Sequence, residues 1–86
     1  MVEESEKLQR ELRLVEALLQ TEANLLQELL EKRRLIVDGV SELVAPSALW
    51  EDYLEEVDAA IAIAERRVDS LAELRDRAEA QLARRQ

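Results

Sequence analysis

The feature that most constrains this chain is a pair of heptad seams interrupted once. In the first half, Leu8, Leu12, Val15, Leu19, Glu22, Leu26, Leu29, Arg33, Ile36, Val40 and Leu43 follow a 4-3 spacing. Nine of these eleven are apolar. In the second half, Trp50, Leu54, Val57, Ile61, Ala64, Val68, Leu71, Arg75, Ala78 and Leu82 repeat the spacing, with nine of ten apolar. Helices that pack side by side at shallow angles carry this pattern, and a strand does not. The strong breaker between the seams is Ala45-Pro46-Ser47. Proline is poorly tolerated in a helix interior but suits a first helical turn, and the acids Glu51 and Asp52 suit a helix N-terminus. Gly39 is a weaker break. The seam keeps its phase across it, so Gly39 reads as a kink or weak point within one helix; a short third segment over 40–44 is the alternative.

The expected fold is therefore all-α: one antiparallel two-helix coiled-coil hairpin over 1–86, with helices over about 4–44 and 48–85 and a turn at 45–47. Folding at Pro46 pairs positions whose numbers sum to about 93 or 94. Ile36 then faces Val57, Leu29 faces Ala64, Glu22 faces Leu71 and Val15 faces Ala78. The two seams match along nearly their whole length.

Composition excludes several kinds of chemistry. The 86 residues include no Cys and no His, one Gly and one Pro. That removes disulfides, Cys/His zinc sites and His-dependent nucleophilic catalysis. No enzymatic activity, cofactor or metal is expected. The lack of Cys fits a cytoplasmic setting. An acidic N-terminus without an apolar core does not read as a signal peptide, and no run of residues reaches bilayer-spanning length.

Net charge is −8, and its placement is uneven. Residues 1–34 carry six bases and eight acids, 35–65 no base and eight acids, and 66–86 six bases and four acids. The excess sits around the turn. An acidic chain is a poor match for nucleic acid or an anionic membrane, so neither is expected as a direct partner.

Three polar residues interrupt the seams: Glu22, Arg33 and Arg75. A polar seam residue can fix register or oligomeric state. Long side chains can also snorkel out of the seam to water, which is the more common behaviour. In the hairpin register Glu22 and Arg75 lie about one layer apart, close enough to pair. No neighbouring His, Cys or second seam acid supports a catalytic role for Glu22.

The apolar stripe is wider than a lone hairpin needs. Leu14, Leu18 and Leu25 flank the first seam on one side, and Leu30, Val37 and Val44 on the other. Ala59, Ala60, Ala62 and Ile63 widen the second. A stripe of this width suits a bundle helix. The expectation is a homodimer completing a four-helix bundle, or docking on a helical protein partner. Trp50 and Tyr53, the chain's two aromatics, fall beside the turn among Glu51, Asp52, Glu55, Glu56 and Asp58. Aromatic anchors with an acidic rim make a candidate contact site for a basic protein surface. Trp50 is in phase with the seam and can instead cap it over Leu43. Tyr53 is out of phase and better placed to face a partner.

The halves resemble each other at an offset of 42. Val15-Glu16-Ala17-Leu18-Leu19 aligns with Val57-Asp58-Ala59-Ala60-Ile61, and Leu29-Leu30-Glu31 with Leu71-Ala72-Glu73. A paired helix repeat of this kind resembles the coiled-coil spacer helices of type I restriction specificity subunits. Those carry an Ile-Asp-x-Leu-Ile opening and a Leu-Leu-x-Glu-Lys-Arg run, to which Val57–Ile61 and Leu29-Leu30-Glu31-Lys32-Arg33 are similar. The resemblance implies a structural spacer or oligomerisation segment of a larger protein, and the helical composition up to Arg84-Arg85-Gln86 is compatible with that. It does not imply DNA specificity, because the target-recognition domains have no counterpart here. In size and charge the chain also looks like small acidic helical-hairpin chaperones of bacterial secretion systems. A DNA-mimicking inhibitor would spread its carboxylates along a face, whereas these acids cluster at one end.

Overall fold

The computed structural model describes residues 2–85; Met1 and Gln86 lie outside the described residues. Two helices account for nearly all of them, α1 over Val2–Ser41 and α2 over Leu49–Arg85. No strand occurs among the described residues. At 1.5 Å per residue, helices of 40 and 37 residues reach about 60 and 55 Å. They lie side by side in a rod of 66 × 14 × 14 Å. The radius of gyration, 19.3 Å, is well above the ~12 Å of a compact domain of this length.

The seams are where burial concentrates. Among the described residues, Val57, Ile61, Ala64 and Leu82 are buried, and all four lie on the α2 seam. The α1 seam from Leu8 to Val40 is half-buried except at Arg33, which is exposed. Ala64 is the most deeply buried of them, only 1% exposed. With a single helix–helix contact, the half-buried seam leucines of α1 keep one flank open to water.

The turn is longer than the sequence suggests. α1 runs through Gly39, which takes an ordinary negative φ, and ends at Ser41 rather than at 44. The last turn tightens: the Glu42 and Leu43 amides donate to the Gly39 and Val40 carbonyls at 3.2 and 3.1 Å. The Ser41 hydroxyl donates to the Asp38 carbonyl at 2.7 Å. These bonds satisfy carbonyls that a helix end leaves open. α2 is opened by Ser47, whose Oγ accepts the Leu49 amide at 3.2 Å while its carbonyl accepts the Trp50 amide at 3.1 Å. Ser47 is thus the N-cap, and Pro46 precedes the cap instead of starting the helix.

Among the described residues, two ion pairs tie α1 to α2. Arg33 Nε donates to Asp58 Oδ1 at 2.7 Å near the turn, and Arg85 pairs with Glu4 at the open end. Both are within about a helical turn of the register in which numbers sum to 93 or 94.

Candidate interaction surfaces

The tip brings its aromatics together. Trp50 and Tyr53 stack edge to face, with centroids 6.4 Å apart and planes at 80°. Lys32 reaches across from α1 and sets its ammonium 5.3 Å from the Tyr53 ring centroid, a cation–π contact. Tyr53 is half-buried by this arrangement, while Trp50 remains 41% exposed. Trp50, with Ile36 and Val40, lines two apolar grooves. One, of about 260 Å³, is lined by Ile36, Val40, Pro46 and Leu54; the other, of about 340 Å³, by Leu35, Gly39 and Leu43. So Trp50 shares a groove with Leu43, and it is also the more accessible of the two aromatics. Glu51, Asp52, Glu55 and Glu56 are all exposed around them. Asp58 is held by Arg33.

The three polar seam residues behave differently from one another. Arg33 leaves the seam and spends its guanidinium on Asp58 of the facing helix. Arg75 is half-buried and turns to its neighbour Asp76, at 3.4 Å, rather than to Glu22. Glu22 is half-buried, and its Oε2 is fully buried without a hydrogen-bond partner. A shallow groove between the helices is lined by Leu19, Ala23, Arg75 and Glu79.

Exposed apolar side chains also run along one long flank of the rod. Leu14, Leu18, Leu25 and Leu35 are exposed on α1, Leu14 and Leu35 at 61% and 58%. Lys32 continues the row of Leu18 and Leu25 at seven-residue spacing, and it lies over Tyr53. Leu74 is three heptads on from Tyr53, so it shares this flank; it and Ile63 are exposed too. On the opposite flank, Leu30, Val37 and Val44 are also exposed. Leu35 and Leu74 are the flank residues that a search for seam neighbours passes over. The signal that finds them is spacing: Leu35 is three heptads from Leu14.

Electrostatic effects are confined to exposed pairs. The Arg85 guanidinium, by hydrogen bonding and then by charge, holds the Glu4 carboxyl below its ordinary value. Arg34, bonded to both Glu31 oxygens at 3.0 and 2.5 Å and to Asp38 at 3.1 Å, lowers Glu31 in the same way. Arg34 is raised in turn, first by the Glu31 hydrogen bond. Among the described residues no group of three or more carboxylates is arranged to hold a metal ion, and no helix is long and apolar enough to cross a membrane.

Comparison with family models, with curated proteins and with solved structures finds no match to this chain. The surfaces themselves therefore carry the functional reading.

Proposed function

We propose that the chain is a non-enzymatic protein–protein interaction module. It is a coiled-coil hairpin that dimerises into a four-helix bundle and offers its acidic tip, with exposed Trp50, to a partner with a basic surface. The observation that carries this reading is the row of exposed leucines, Leu14, Leu18, Leu25 and Leu35, along one flank beside the seam. Several large apolar side chains exposed along one side of a chain this small mark a candidate interaction surface. The accessible surface of 6736 Å² also exceeds, by about 1,500 Å², the value for a compact protein of this mass. An obligate dimer interface hides a comparable area per chain.

Replacing Leu18 and Leu25 together with Glu tests the first part. The expected outcome is a halved mass in light scattering with helicity lost or reduced. An unchanged mass would place the contact elsewhere. The tip is tested by titrating a lysine-rich amphipathic peptide against the single Trp50 fluorophore. A blue shift that weakens with salt is expected, and by titration calorimetry, which needs no fluorophore, Trp50→Ala or Tyr53→Ala should weaken peptide binding more than it lowers Tm. Docking of the flank on a different helical protein, or service as a spacer within a larger assembly, is the second reading. It is favoured by the same exposed row if the pure chain proves monomeric. The absence of cysteine is in keeping with a cytoplasmic setting.

A further inference from the structure

Resting on the self-association reading, we infer the arrangement: a second copy covers the leucine flank antiparallel, turn against open end, with the two-fold axis beside Leu25. The exposed row of α1 is close to a palindrome about that residue. A two-fold axis at Leu25 pairs positions whose numbers sum to 49 or 50. Leu25 then meets its own copy, Leu14 meets Leu35, and Leu18 meets the aliphatic stem of Lys32. Between these pairs Thr21 meets Glu28, and further out Lys7 of one copy comes beside Glu42 of the other, while Glu11 comes beside Asp38, whose charge Arg34 of its own chain already pairs. Leucines and the Lys32 stem therefore supply the apolar contact about the axis, and a base meets an acid near each end.

Whole-chain charge selects the same orientation. The turn half, residues 22–65, carries three bases and eleven acids, net −8; the open half, 1–21 and 66–86, is neutral. Packing two hairpins turn beside turn would bring both acidic halves together within a Debye length of roughly 8–10 Å. The antiparallel arrangement sets each acidic half on a neutral one. A two-fold axis crossing the rod stacks α1 on α1 and α2 on α2, so Ile63 and Leu74 are covered by the same operation. The contact is isologous and closes at two copies.

Nitroxide labels at single introduced cysteines test this on the full chain, which has no native thiol. Glu42→Cys and Lys7→Cys are exposed positions outside the apolar centre. At 1.5 Å per residue, an axis at Leu25 separates the two Glu42 labels by about 51 Å and the two Lys7 labels by about 54 Å. Near-equal long spans are the expected result. A Glu42 span of about 20 Å, roughly two helix diameters, would mean turn beside turn and overturn the antiparallel arrangement while leaving self-association standing. Spans of about 30 Å and 75 Å would move the axis by a heptad to Lys32 and overturn the Leu25 register. No intermolecular distance, with a monomer mass in light scattering, would overturn both the arrangement and the self-association on which it rests.

Discussion

Glu22 stands in a seam position with one carboxylate oxygen buried and unbonded. An unsatisfied buried polar atom costs about 1–3 kcal/mol. Glu22→Leu should recover that and add apolar contact opposite Leu71. The expected outcome at fixed protein concentration is a Tm rise of at least about 4 °C, at ~4–8 °C per kcal/mol for a domain this small. A fall in Tm would show that the carboxylate is satisfied in solution. Ile61→Ala acts in the opposite sense. Ile61 is buried in the seam, and its truncation should lower stability by about 2–4 kcal/mol in denaturant unfolding. At this scale the seam was fully legible in the sequence, because heptad spacing alone selects Ile61 and Ala64. The fates of its polar members were not. Whether Arg75 reaches Glu22 or Asp76 depends on rotamers and on the nearest competing carboxylate, and spacing encodes neither. The tip shows the same limit. Tyr53 looked accessible by phase, but Lys32 covers it from the other helix while Trp50 stays exposed.

The second helix, Leu49–Arg85, matches the expected 48–85 to within a residue, whereas the first ends at Ser41 rather than 44. Pro46 marks the break, but Ser47 caps the second helix and the first stops at Ser41 because its final amides turn back three residues. Local cap geometry of this kind leaves little trace in hydrophobic period. Gly39 sits inside α1, and a Cβ added there meets nothing within 4 Å. Gly39→Ala should therefore stabilise by about 0.5–1 kcal/mol through backbone entropy, read as higher Tm and helicity. Destabilisation would show that α1 bends at Gly39. The ends of the elements also set the acid response. Glu4 and Glu31 are held below their ordinary values by Arg85 and Arg34. A depressed folded value means that their contribution is present above the unfolded carboxylate value of about 4.3 and is lost as pH falls through the lower folded value. Both are exposed, so the effect on Tm should be small and salt-sensitive. The direct readout is carboxyl NMR: Glu4 should titrate below the unpaired glutamates, and Arg85→Gln should raise it towards them. An unmoved Glu4 midpoint would mean that Arg85 does not close the open end.

As a whole molecule, the hairpin is a thin rod with a single internal seam. Its long axis is about five times its width, so its surface is large for its mass. Charge and apolar surface are sorted along and around that rod: acids at the turn, leucines down one flank. The hairpin architecture was legible in advance from two matched seams and one break. The flank is only half legible, since Leu14, Leu18 and Leu35 share it by their phase within one helix, but Ile63 and Leu74 join them only when the helices are laid side by side. Sedimentation equilibrium of the pure 9.9 kDa chain over a hundredfold range of concentration tests the central claim most directly. A species of twice the chain mass that dissociates only on dilution is expected, with helicity falling as it dissociates. A fully helical monomer at every concentration would contradict it.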